Sequence, residues 1–458
     1  MKIGSTLTTM AVVGAAIGTG LLTANAVPGG KGGAAGVSGA DVAVCGLPSV
    51  YRWGTLDGVS AYSVGTTSVN LGDVNLEWYG DSSRHPRIPQ NAFRYMDGRL
   101  TQLGQSWCKD GFCALQQNEC GSCQPADSGC PELLGPGCSD PYSDSLNGQQ
   151  NGLAPRSQCN PATGQYQFPP TDLLAPEATV GRRLRIRQFD LNPNVNGPET
   201  RFYMDAFYLH PQDYEAGNHL NNGSYREAVV GTLSSAGYRI SMTGNTQLGK
   251  PAIFAWEENS STVEIETVDL PGDGRLFVAH DVIDNGDGTW NYEYAIYNLT
   301  SDDSVNAFSV PTGAGVNVLD RGFHDVSSHS GEAYKTYNWA PNDTSGTIGW
   351  KTTEYSVDPN ANACRWGTMY NYFFVSDAPP TDGTAEFELF KSNGVASVAV
   401  RVPASSGNPY DLNGDNQVNG ADVGLFIALW GSDDPSVDFD GNGIANGADF
   451  GLLVAAWG

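Results

Sequence analysis

The sequence predicts a mainly β protein closed by a small helical module. Three observations point there. The 57 Gly and 26 Pro among 458 residues make a turn-rich chain, and aromatics at 10 % with charged residues at only 16 % suit packed strands better than long solvated helices. From about residue 184, alternating apolar and polar runs recur at short intervals, with no long amphipathic helical period between them. At the end of the chain, an Asp/Asn-rich loop followed by an apolar stretch occurs twice in phase.

Residues 1–26 read as a secretory signal. Lys2 precedes an apolar stretch from Thr8 to Leu22, and Ala24-Asn25-Ala26 supplies a small-residue cleavage site. The apolar stretch is about 15 residues, short of the roughly 20 needed to span a bilayer. No other stretch is long and apolar enough, so the mature protein is expected to be secreted and to have no membrane span. Residues 27–44, rich in Gly and Ala, read as a flexible leader. The formal charge of −26 argues against nucleic acid as a partner, because that affinity comes mostly from Lys and Arg.

Residues 45–183 form a Cys-rich, loop-heavy part of the body. Seven of the nine cysteines lie between Cys108 and Cys159, with Cys45 and Cys364 outside. In an exported chain this density reads as a disulfide framework of unspecified connectivity, with at least one thiol left over. The alternative is a zinc site built on Cys120-x-x-Cys123, but no second such pair follows. The stretch CGSCQPADSGCPELLGPGCSDPYSD has too few large apolar residues to fold by burial, so disulfides are expected to supply its order.

Residues 184–402 are predicted to form an antiparallel β-sandwich. Strand patterns lie at Leu184–Phe189, Arg201–Leu209, Thr262–Val268, Arg365–Val375, Ala385–Leu389 and Val395–Val402. The clearest hairpin joins Arg275–Ile283 to Thr289–Tyr297 through the turn Asp284–Gly288. That turn has a superficial calcium-loop look but lacks the later ligands, so it reads as a hairpin turn.

Catalytic signals in this body are sparse. No nucleophile elbow, zincin motif, phosphate loop or dinucleotide glycine pattern occurs. His324, Asp325 and His329 form the one local His/Asp cluster, more simply read as solvated loop histidines than as a metal site. Glu257 and Glu258 follow Trp256, whose ring would suit sugar stacking. Adjacent residues of a strand face opposite ways, however, so the two cannot act together. Catalytic residues are therefore not assigned. Glycoside hydrolysis would require two carboxylates about 5–10 Å apart across a cleft, and simple binding a row of exposed aromatics.

After a Pro/Ser/Gly linker at 403–410, the duplication begins. Asp411, Asn413, Asp415, Gln417, Asn419 and Asp422 occupy positions 1, 3, 5, 7, 9 and 12 of the first loop. Asp438, Asp440, Asn442, Ile444, Asn446 and Asp449 repeat them 27 residues later. Side-chain oxygens at positions 1, 3, 5, 9 and 12 are what a hard Ca²⁺ ion needs, and position 7 contributes its backbone carbonyl. That explains why Gln417 and Ile444 differ freely. Position 6 requires a left-handed residue, supplied by Gly443 and, next best, by Asn416. The closing Asp is a methylene shorter than the usual Glu, which predicts weaker binding. The apolar stretches align at Val423/Phe450, Leu425/Leu452, Ile427/Val454 and Trp430/Trp457.

This tandem pattern resembles the type I dockerin family over residues 411–458, about a tenth of the chain. The resemblance implies two Ca²⁺ ions, one helix after each loop, and docking onto a cohesin-like scaffold, usually in the company of polysaccharide-degrading enzymes. Two features depart from it. Loop positions 10 and 11 are Gly420-Ala421 and Gly447-Ala448 where family members commonly carry Ser or Thr, and no Lys or Arg follows Arg401. The apolar helix face is therefore expected to meet either a scaffold or the protein's own body. The resulting expectation is a secreted, calcium-binding protein whose module tethers a β-rich body to an extracellular assembly or surface in polysaccharide catabolism. A glycoside hydrolase and a non-catalytic carbohydrate-binding or structural surface protein are the alternatives.

Overall fold

The computed structural model describes residues 37–312, 316–344, 346–404, 408–413 and 417–458. The expected signal sequence and the expected leader up to residue 36 lie outside that range, as do Asp415 and Asn416. Described strands are paired antiparallel, and the described helices are short. The mainly β prediction holds, with a small helical part at the C-terminus.

Three five-stranded sheets carry most of the body. The first runs in the order Gly237–Met242, Gly223–Ser234, Arg201–Phe207, Gln90–Met96 and Arg99–Gln105. The second runs Glu264–Leu270, Gly274–Asp284, Trp290–Asn298, Thr368–Ser376 and Val318–His324. The third runs Ala340–Pro341, Thr347–Lys351, Val305–Pro311, Pro380–Leu389 and Val395–Pro403. Period-two alternation explains how they stack. In the second sheet, Phe277, Ala279, Ala295 and Tyr297 face one cluster with Phe93, Tyr203 and Tyr225 of the first. Leu276, Val278, Tyr292, Tyr294 and Ile296 face the other, with Phe308, Trp350, Phe387 and Val400 of the third. The second sheet is thus covered by apolar side chains on both faces.

The outer face of the first sheet, with Ala92, Met204 and Ile240, closes a third cluster against Val42, Val44, Tyr62 and Val64. These last four lie on small sheets built from Val42–Gly46, Thr66–Asn70 and Ser139–Tyr142, and from Leu184–Arg187, Val59–Val64 and Val50–Leu56. Two expectations change here. Val42, Ala43 and Val44 are fully buried, so the end of the 27–44 segment is a core strand and not leader. Strands on either side of residue 183 also share sheets, since Val59–Val64 pairs with Leu184–Arg187 and Gln90–Met96 with Arg201–Phe207. The density of cysteines marks no break in the pairing.

Charged groups tie the layers together. Arg156, 4 % exposed, donates to the carbonyl oxygens of Gln90, Ser106 and Gly367 and to Asn91 Oδ1. Arg99 of the first sheet grips Glu293 of the second in a bidentate pair at 2.6 Å. The predicted hairpin forms with Asp284 opposite Trp290. Its turn needs left-handed backbone at Gly286 and Gly288, with φ 75° and 87°.

Three disulfides, Cys45–Cys120, Cys113–Cys130 and Cys123–Cys138, staple the loop between the strands Cys108–Asp110 and Leu133–Leu134. Cys45, distant in sequence, proves to be a partner of that loop. Cys108, Cys159 and Cys364 are buried free thiols.

Candidate metal centre

The C-terminal module is built by its own repeat. Helices Gly420–Ala428 and Gly447–Ala455 begin at Asn419 and Asn446, whose side chains cap Ala421 N and Ala448 N at 2.8 Å. The closing carboxylates reach back to complete capping boxes. Asp422 Oδ2 accepts from Asn419 N at 2.8 Å, and Asp449 Oδ2 from Asn446 N at 2.9 Å. Their second oxygens accept from Asn413 N and Asp440 N, at 3.2 and 3.0 Å. The 27-residue register seen in the sequence is therefore kept atom for atom at this end of both loops. Packing opposes ionisation of both carboxyls, but these backbone N–H groups outweigh it and hold each below the usual carboxylate range.

In the second loop the carboxylates converge. Asp438, Asp440 and Asp449 present oxygens that all lie within 4.8 Å of one another. Asp438 is fixed by Asn442 N at 3.0 Å and Gly443 N at 2.8 Å, and Gly443 takes the left-handed φ of 90° that position 6 requires. Asn442 Oδ1 accepts from Ile444 N at 3.2 Å, while Ile444 O accepts from Asn446 Nδ2 at 2.9 Å. Three like charges this close repel, and an all-oxygen set of this kind fits a hard divalent cation. Of the first loop, Asp411, Asn413, Gln417, Asn419 and Asp422 are described and Asp415 is not.

No protein-family model matches the chain, and no curated protein is significantly similar to it. The site must therefore be read from its own chemistry.

The helices pack on each other through positions that the sequence alignment of the repeats did not single out. Phe426 and its counterpart Leu453 are fully buried, as are Val418 and Ala445, with Val437 completing the cluster. Val423 and Phe450 pack against it. The other aligned pairs point outward: Leu425 and Leu452 are 43 % and 37 % exposed, Ile427 and Val454 58 % and 45 %, Trp430 and Trp457 52 % and 54 %. The repeats thus meet through one helix face and expose a second, apolar one.

The other candidates resolve differently. His324 Nε2 contacts Gln102 O at 3.2 Å, and His329 Nδ1 contacts Gln105 Nε2 at 2.5 Å. Asp325 accepts from Asn362. Desolvation lowers the two imidazoles to about 4 and about 3 and raises Asp325 to about 6. Each group is held by a different neighbour, and among the described residues the one group of three close enough for an ion is that of the second loop. Glu257 and Glu258 sit on a short helix, Ala255–Asn259, and not on a strand. Trp256 is fully buried and donates to Gly98 O at 3.0 Å, which removes it as a sugar platform. Glu258 accepts from Tyr225 OH at 2.5 Å. Among the described residues, the clearly exposed Trp side chains are Trp430 and Trp457.

Proposed function

We propose that this chain is an exported protein whose C-terminal module closes around two calcium ions and tethers the β body to an extracellular assembly, in the processing of polysaccharide. The observation that carries the reading is the convergence of Asp438, Asp440 and Asp449 on a loop repeated in register 27 residues apart. Calcium would neutralise three carboxylates held together by the chain and lock the start of each helix, so binding and ordering of the module are coupled. In the second loop, Asp438, Asp440, Asn442, Ile444, Asn446 and Asp449 would hold the ion. In the first, Asp411, Asn413, Asp415, Gln417, Asn419 and Asp422 would do so. The paired residues Leu425/Leu452, Ile427/Val454 and Trp430/Trp457 support a docking role, since each stays 37–58 % exposed on the folded module. Three disulfides and the lack of a helix long and apolar enough to cross a membrane, among the described residues, are compatible with export.

Calorimetric titration of the chelator-treated full chain with Ca²⁺ tests this. Two ions are expected to bind to the unaltered protein, and the double variant Asp411→Ala, Asp438→Ala should bind neither. Unaltered stoichiometry in that variant, or no heat from the parent protein, would sink the proposal.

A further inference from the structure

A cavity of about 380 Å³ lies in the body, remote in sequence from the calcium loops. Its wall is assembled from distant pieces of chain, including Trp107, Ser157, Glu177, Arg182, Arg185 and Glu332. Backbone hydrogen bonds join them: Trp107 N donates to Arg182 O, and Arg182 N to Ser330 O, both at 2.8 Å. Arg182 and Ser330 hold left-handed backbone, with φ 64° and 56°, and so does Asp172 at 55°, also on the cavity wall. Aspartate tolerates that conformation; Arg and Ser gain nothing from it and keep it because the surrounding chain imposes it. Strain of this kind gathers where geometry serves a site.

The polar chemistry of the wall is two-sided. Trp107 and Arg182 are 6 % and 7 % exposed, and Trp107 Nε1–H and Arg182 Nε–H have no acceptor among the described residues. The guanidinium carbon of Arg182 stands 4.8 Å from the centre of the Trp107 ring. Beside these donors is the Glu332 carboxylate, whose Oε1 accepts from Arg156 N and whose oxygens face Ser157 N at 3.3–3.4 Å. Glu177 accepts from the N–H groups of Thr179 and Val180, at 2.9 and 2.5 Å. A carboxylate retains further lone pairs after such contacts. A bare oxyanion would satisfy the donors but meet Asp172, Glu177 and Glu332. A cation would meet Arg182 and Arg185 and leave the donors unfilled. A hydroxyl both accepts and donates without charge, and several on one small ring match both halves of the wall. The volume is at the lower end of the roughly 300–1,000 Å³ of small-ligand sites.

We propose that this cavity binds one sugar-sized polyhydroxylated ligand, its hydroxyls accepting from Trp107 and Arg182 and donating to Glu332. The inference stands apart from the calcium module and would survive its failure. Saturation-transfer NMR on the calcium-loaded full chain, with glucose, galactose, mannose and glucuronate at millimolar concentration, is the test, with inorganic sulfate and putrescine as the ionic controls. At least one sugar is expected to bind and to protect residues 172–185 and 328–334 from hydrogen exchange. Trp107→Phe, which keeps the ring and removes the N–H, and Glu332→Gln should each weaken binding tenfold or more, whereas Trp430→Phe should not. If Trp107→Phe fails to fold, Glu332→Gln and the exchange footprint on the unaltered chain decide. The proposal is overturned by no sugar binding at all, by binding that leaves those segments unprotected, or by sulfate or putrescine binding as well as any sugar.

Discussion

Replacing Leu453 by Ala should unfold the metal-free C-terminal module, while the same change at its neighbour Leu452 should leave it folded. Leu453 is fully buried with Val418, Phe426, Val437 and Ala445, whereas Leu452 is 37 % exposed. Truncating a buried Leu costs about 2–5 kcal/mol, part of it from the cavity left behind. A unit whose buried cluster has five residues, with none of the three disulfides inside it, holds little reserve against such a loss. Calcium opposes it. At about a hundredfold excess over Kd each ion adds about 2.7 kcal/mol, so two ions offset most of the range. Hydrogen exchange of peptides within 447–458 of the full chain, with chelator and with saturating calcium, measures this directly. Leu453→Ala should lose protection in chelator and regain it in calcium, and Leu452→Ala should match the parent in both. Equal loss in the two variants, or none in either, would refute the assignment of inner and outer helix faces.

Asp205 is fully buried between the first two large sheets, accepting from Asn91 Nδ2, Ala252 N and Tyr297 OH. Burial pushes its carboxyl from 3.8 up to about 6, so the folded state binds this proton more tightly than the unfolded chain and loses stability as pH rises from about 4 to 6. The stability of Asp205→Asn relative to the parent should therefore increase by about 2.4 kcal/mol between pH 4 and 7; a pH-independent difference in denaturation midpoints would contradict this. Cys108, Cys159 and Cys364 are buried, so the native protein should resist alkylation. Without reductant, denaturation should expose at most these three, with six more labelled after reduction; mass spectrometry of labelled peptides reads both counts.

Much of the architecture was legible in the chain. The hairpin through Asp284–Gly288 could be located because alternation and a Gly-rich turn are local signals; the observed strand Gly274–Asp284 extends the predicted one by a residue at each end, and Trp290–Asn298 is the predicted one shifted by a residue. Strands such as Val59–Val64 and Thr66–Asn70 escaped notice. Their residues are buried almost throughout, yet Ser60, Ser63, Thr66, Thr67, Ser68 and Asn70 are polar, so neither a clean alternation nor an apolar run marks them and they read as loop. Glu257 and Glu258 were placed on a strand because the short helix Ala255–Asn259 is only about one turn long, too short to show a helical period. The cavity around Trp107 and Arg182 left no trace in the sequence, since its wall joins residues more than 200 positions apart.

The twin Asp/Asn-rich loops were legible in the sequence alone, because the geometry of a short loop depends on spacing within a dozen residues, and a repeat in phase records that spacing twice. The mainly β class was determined the same way, from local periodicity. Tertiary structure decided everything that depends on which distant segments meet. It set the pairing of Cys45 with Cys120, the burial of Val42–Val44 as a core strand and the separate fates of His324 and His329. It also decided which of two adjacent leucines, 452 or 453, faces inward, because a helix that is apolar on several sides leaves that choice to the partner it packs against.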